Sequence, residues 1–392
     1  MENDTPCAEL ARTAATLRKR LAEDSAEADR ERRLSLSTVS ALRDAGLFRV
    51  MTPKRWGGHA ADARTLLAVT SELGRGCASA AWVVGVLNAG NAATGLFPAR
   101  AQEEVWARRP DAAVALVLAP TATAEPAPGG LRVSGRWAYA SGSAHCDAAV
   151  VAVPRPGAPD GSDVRLALLP AHEVSVVDTW RVVGMRGTGS GTVRAEDVFV
   201  PEHRLLPLAT ALDGAPSGAR GAAGRRGGIA GVLLTSLVGS LLGAARAALE
   251  HVREAAPGRG VAASRYGRRG ESVPFQLALA EAAGTLDTAH FHADRMARVS
   301  DELAERGAPP DLAARARVRA DAARAARACR EAVETLLDAH GAAAFAEASP
   351  LQRIWRDIGV GSRHAAFGVG VPEEMYGRAL LGQDPRPVSF LL

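Results

Sequence analysis

Residues 131–142 read LRVSGRWAYASG, and residues 176–201 read VVDTWRVVGMRGTGSGTVRAEDVFVP. Both lie in a zone whose apolar runs are short and rich in β-formers. The runs are Ala112–Ala119, Leu131–Ser134, Ala148–Val153, Val164–Leu169 and Val174–Val177. Turn-forming clusters such as Pro126–Gly130 and Pro154–Gly161 separate them. That pattern predicts strands, so residues 111–205 are expected to form a β-domain.

The flanks change period. In residues 1–110, Leu10, Leu17 and Leu21 recur at helical spacing among charges. A second helix is expected from the Ser35/Ser37 caps through Val39 and Leu42, stopping at Gly46. Pro53 and Gly57-Gly58 break the chain before an apolar stretch from Asp62. Residues 77–91, CASAAWVVGVLNAGN, carry almost no charge and predict a buried helix. Residues 225–392 again read as helices, among them a long one from Asp311 to His340. Gly214–Gly228 reads as a Gly/Arg/Ala linker and Pro257–Gly270 as a second loop. The expected organisation is an N-terminal helical domain, a β-domain and a C-terminal helical domain.

Composition narrows the function. Of 392 residues, 47% are apolar and 23% charged, an ordinary globular balance. Gly (40) and Pro (22) fall short of the roughly 25–30% that marks disorder. A net charge of +4 over this length argues against a dedicated nucleic-acid binder. Lys19 and Lys54 are the only lysines, which excludes a GxxxxGK[ST] phosphate loop. Cys7, Cys77, Cys146 and Cys329 are too scattered for a CxxC site, so free thiols and no metal are expected. The start, MENDTPCAEL, has acids where a signal peptide needs bases, which points to the cytoplasm. The run Ile229–Ala245 is apolar, but it is just short of the roughly 18 residues of a membrane span and is interrupted by Gly and Ser. It reads as a buried bundle helix.

The order helices, strands, helices is that of the acyl-CoA dehydrogenase superfamily, and three motifs carry the resemblance. LRVSGRWAYASG resembles its "hG.K.WITN" flavin strand. Residues 176–201 resemble its closing strand and "V-P" exit. Gln276–Glu281, QLALAE, resembles the start of its helical bundle. The fold so implied is α+β, with an N-terminal helical domain, a β-barrel-like domain and a C-terminal four-helix bundle. Residues 77–82, CASAAW, and 350–364, PLQRIWRDIGVGSRH, followed by MYGRAL at 375–380, are similar to the two-component flavin monooxygenase branch. A dehydrogenase also needs a carboxylate base. Nine residues after Arg356, where the family's base falls, stands Ala365, preceded by His364.

The resemblance implies a monooxygenase that takes reduced FMN or FAD from a separate flavin reductase. With O2 it would form a C4a-hydroperoxide that hydroxylates an aromatic or polyketide-like small molecule. N-oxidation of an amine and acyl-CoA dehydrogenation are the alternatives, and a non-catalytic helical scaffold is the alternative of another class. A homotetramer is implied as well. Ser141 takes the position of the motif Thr whose hydroxyl sits at flavin N5, Gly142 closes the motif, and Tyr139 stands where a Trp covers the isoalloxazine. Trp82 matches "S-x-x-W" and reads as flavin contact or as core. His364, neutral or protonated, would stabilise and protonate a forming peroxide. Arg265 is the cation nearest to the family's pyrophosphate-binding Arg, whose place Ala263 occupies, so reversible flavin binding is expected. Asn88 and Asn91 stand in the region where phenol hydroxylases carry a phenolate-binding His, which argues against a simple phenol. Arg186 is expected to line the substrate or flavin side of its loop. His145 and Asp147 near Ser141 suggest a triad, but no G-x-S-x-G elbow is present. GTGSGT at 187–192 fails G-x-G-x-x-G at its last position.

Overall fold

The computed structural model describes residues 6–157, 163–214, 228–258, 260–306, 311–389 and 391. Most of the expected linker at 214–228 lies outside them. The first amphipathic segment is two helices, α1 (Pro6–Thr16) and α2 (Arg18–Glu31), meeting at Leu17. Ser35 caps α3 (Leu36–Asp44) by accepting from the Thr38 N–H, and Gly46 follows in the left-handed region at φ 72°. Asp62 caps α4 (Ala63–Gly74) in the same way, through Thr65. The uncharged run becomes α5 (Ala78–Thr94), buried along almost its whole length, and α6 (Ala99–Trp106) completes the N-terminal helices.

Eight strands follow among the described residues: β1 (Val114–Val117), β2 (Ala122–Ala127), β3 (Gly130–Ala140), β4 (Ala148–Pro154), β5 (Val164–Pro170), β6 (Ser175–Val177), β7 (Gly191–Pro201) and β8 (Leu205–Pro207). They form two four-stranded sheets, ordered β1-β4-β5-β8 and β2-β3-β7-β6. The barrel-like form is thus realised as two packed sheets rather than one closed ladder. All pairs are antiparallel except β1 with β4. β2, ATAEPA, escapes an apolar-run criterion because both its faces are largely solvated. The β3–β7 ladder shifts register between Trp137 and Ala140. Such an irregularity re-aims side chains at a strand end. Here it holds Tyr139 at φ 61°.

The C-terminal helices are α7 (Leu208–Asp213), α8 (Ile229–Ala255), α9 (Val273–Arg306), α10 (Leu312–His340), α11 (Pro350–Gly361) and α12 (Val371–Leu380). α8 packs against α4, α5, α9, α10 and α11. It is long and apolar enough to cross a membrane, but 78% of its apolar window is buried inside the fold. Glycine makes this packing close: a Cβ on Gly243 would stand 2.1 Å from the Ser71 carbonyl of α4.

Candidate active site

Trp82 lies on α5, Ser141 just after β3, Ser190 just before β7 and His364 just after α11. The fold brings them together. The Trp82 indole N–H donates to Ser141 Oγ at 3.2 Å. Ser141 Oγ is 2.7 Å from Ser190 Oγ, which is 2.6 Å from Thr188 Oγ1. Thr188 Oγ1 donates to the Met185 carbonyl at 2.8 Å. All of these groups are buried. Backbone makes the approach possible. Gly142, at φ 73°, turns the chain so tightly onto α5 that a Cβ there would touch Leu87 and Val83 at 3.2 Å.

His364 meets the Trp82 ring edge-on, with centroids 5.6 Å apart, and Phe367 at 6.2 Å. Burial, reinforced by the Arg319 charge, lowers its pKa to about 4. The imidazole is therefore neutral near pH 7. Its Nδ1 accepts the Ala366 backbone N–H at 3.1 Å, which assigns the ring proton to Nε2. Of the two forms allowed from sequence, the neutral one fits this pKa direction and the Nδ1 acceptor. Tyr139, 72% exposed, meets Trp180 edge-on at 5.9 Å.

Behind these residues lies a buried carboxylate that sequence reasoning missed. Asp357 Oδ1 accepts the Met185 N–H at 2.5 Å and holds Met185 at φ 54°. Burial pushes the Asp357 carboxyl up to about 7. The Met185 carbonyl also takes the Trp180 indole N–H at 2.9 Å. Ser190, Thr188 and Arg319 were missed as well. The only signal for the first two is the hydroxyl-rich GTGSGT stretch, read above only as a failed dinucleotide motif.

Three expected substrate residues are elsewhere. Asn88 is fully buried: its Oδ1 accepts the Met51 N–H at 2.9 Å, and its amide donates to the Leu47 and Val84 carbonyls, both at 2.8 Å. Asn91 donates to the Phe48 carbonyl at 2.7 Å and to Thr52 at 3.2 Å. Both staple the 47–52 loop to α5, because that loop has backbone groups no helix or strand satisfies. Arg186 turns towards α2, giving Nε to the Asp29 carbonyl at 2.7 Å. Arg265 is exposed between α8 and α9, with no hydrogen bond or ion pair to another described residue. The suspected triad is absent. Asp147 is taken up by Arg109 and the Ala113 N–H, and His145 Nε2 is buried without a partner. Among the described residues no group of His, Cys, Asp or Glu could hold a metal ion.

An exposed aromatic face, a buried hydroxyl with a spare lone pair and a neutral imidazole donor fit a planar ring system that presents an N–H at one edge. A flavin has that chemistry, and known proteins agree. Residues 8–109 match the family "Acyl-CoA dehydrogenase, N-terminal domain" and residues 236–368 match "Acyl-CoA dehydrogenase, C-terminal domain". The chain is 34% identical to the oxygenase component of the FADH(2)-dependent resorcinol hydroxylase of Rhizobium sp. (strain MTP-10005), covering 92% of this chain and 91% of that protein. It is 33% identical to the flavin-dependent monooxygenase oxygenase subunit HsaA of Rhodococcus jostii, over 92% and 95% of the two chains. Among solved structures, XiaF from Streptomyces sp., in complex with FADH2 and glycerol, superposes with a TM-score of 0.90 at 36% identity, covering 97% of this chain and 96% of that one. The HsaA monooxygenase of M. tuberculosis superposes at 0.89 and 29% identity, over 98% and 100%. With the missing dehydrogenase base and this neutral, hydroxyl-lined site, these likenesses place the chain in the acyl-CoA dehydrogenase superfamily, as a member of the oxygenase components of two-component flavin-dependent monooxygenases.

Proposed function

We propose that this chain hydroxylates an aromatic or polyketide-like small molecule, using reduced flavin from a separate reductase. The observation that carries the reading is the convergence of Trp82, Ser141 and His364. Reduced flavin, when bound, supplies the electrons that activate dioxygen. The rest is the chain's work. Ser141 would accept an N5–H of bound reduced flavin with its spare lone pair and so keep that proton in place. With flavin and dioxygen bound, the Nε2–H of neutral His364 would be the donor offered to negative charge developing on oxygen. The exposed Tyr139 ring would cover the isoalloxazine, and Gly142 would allow the backbone close to it. The apolar walls of Trp82, Met185 and Phe367 keep water out. Arg265, exposed and uncommitted, meets a flavin phosphate. FAD is the first cofactor to test, because XiaF is solved with FADH2 and the Rhizobium relative is named for it.

Asn88 and Asn91 are spent on backbone, and neither replaces the phenolate-binding His that the region lacks. A hydroxylated aromatic ring is the substrate class to screen first, since the Rhizobium relative is a resorcinol hydroxylase. The enzyme is proposed to work in the cytoplasm as a homotetramer. Val273, Leu277 and Phe291 leave apolar surface exposed along α9 for such contacts. A monomer in sedimentation at micromolar concentration would remove the tetramer. The purified protein should leave NADH untouched, then consume oxygen and a phenol once a flavin reductase is added. Steady NADH oxidation without the reductase would overturn the two-component reading.

A further inference from the structure

The hydroxyl row beneath Ser141 has only one consistent arrangement of protons. At one end the Trp82 indole nitrogen can donate but cannot accept. At the other end the Met185 carbonyl can accept but cannot donate. Between them stand three hydroxyls, each with a single proton. Four contacts, at 3.2, 2.7, 2.6 and 2.8 Å, share four protons. Thr188 must donate to Met185, Ser190 to Thr188, and Ser141 to Ser190. Reversing any hydroxyl leaves two lone pairs facing each other at hydrogen-bond distance, at a buried site. The anchor is firm, because Asp357 holds the Met185 N–H and Trp180 shares its carbonyl.

The Ser141 proton therefore points into the protein, and its free valence is a lone pair. We propose that Ser190 and Thr188 are positioning residues that make Ser141 an obligate acceptor, so that the site selects reduced over oxidised flavin. The inference rests on the reading that Ser141 faces flavin N5. Reduced flavin carries a proton on N5, and oxidised flavin carries a lone pair there. A hydroxyl free to rotate would satisfy both forms. One whose proton is committed satisfies only the reduced form and sets lone pair against lone pair in the oxidised form. The site would then release spent cofactor and take up fresh cofactor without any conformational change.

The test is equilibrium binding of FAD and FMN, in oxidised form and in dithionite-reduced form under anaerobic conditions, and needs no turnover. The quantity read is Kd of the oxidised form over Kd of the reduced form. Wild-type protein should favour the reduced form. Ser190→Ala frees the Ser141 proton to turn outward, so the ratio should fall about tenfold or more, mainly through tighter oxidised binding. Thr188→Val should lower it less, and Thr188→Ser should restore it. Ser141→Ala should lower the ratio by the other route, through weaker reduced binding. If Ser141→Ala leaves both constants unchanged, Ser141 does not face the flavin and the underlying reading fails. If Ser141→Ala weakens reduced binding but Ser190→Ala and Thr188→Val leave the ratio at the wild-type value, or move both constants together, the relay is merely structural and this proposal alone fails.

Discussion

Ser141 owns one proton, and its neighbours decide where that proton goes. Replacing it with Ala removes the acceptor without opening the core. Ser141→Ala should still bind flavin, but release more of the consumed oxygen as hydrogen peroxide. Losing one hydrogen bond of about 1–3 kcal/mol would speed that leak roughly 5- to 150-fold, read as peroxide formed per oxygen consumed. His364 acts as a neutral donor, because burial and Arg319 lower its pKa to about 4. The rate of oxygen consumption should therefore show no inflection near pH 6.5 from this residue, and His364→Ala should slow the reaction of the reduced complex with oxygen. An activity limb near pH 6.5 that disappears in His364→Ala would contradict the neutral assignment. Ser141, Trp82 and His364 each stand inside a short motif, and the fold brings them together. Asn88, Asn91 and Arg186 read as site residues from sequence alone because the groups they bond are not visible there. Those partners, Met51, Phe48 and Asp29, lie far away in sequence.

At the scale of elements, caps and periods were readable. Ser35, Asp62 and Asp311 each accept a backbone N–H at the start of the helix that follows. Burial pattern was less readable: β2 is a strand by its pairing with β3, not by its own apolarity. The α5 staple gives a prediction of its own. Asn88→Ala would leave the Met51 N–H buried without its acceptor and remove a donor from the Leu47 carbonyl. It should cost about 2–4 kcal/mol, seen as a lower urea midpoint. Reduced-flavin affinity of the remaining folded protein should be unchanged. A strong loss of flavin affinity at full stability would return Asn88 to the site.

Across the whole molecule, two buried groups pull stability in opposite directions over one pH range. Between its unfolded value near 3.8 and about 7, Asp357 keeps its proton in the native state but loses it on unfolding. It therefore costs stability as pH rises through that window. His364 stays neutral in the native state down to about 4 but takes a proton on unfolding below 6.5. It costs stability as pH falls through nearly the same window. Asp357→Asn keeps an acceptor for the Met185 N–H and removes only the first effect. Relative to wild type, the variant should gain about 2–4 kcal/mol between pH 4.5 and 7.5, measured as the difference in unfolding free energy at the two pH values. An unchanged difference would mean that Asp357 titrates near its ordinary value.

The order of helices and strands, the capped helix starts and the flavin-strand motif were determined by local pattern, because period and capping act within a few residues of chain. The site was not. Trp82 and Ser141 are 59 residues apart, and Ser141 and Ser190 are 49 apart. No spacing rule encodes that an indole and a carbonyl should close the two ends of a hydroxyl row. Only the packing of α5, the β3–β7 ladder and the turn at Met185 brings those ends within reach. A hydroxyl's direction is set by every partner in its chain at once, so the polarity of Ser141 exists only in the folded protein.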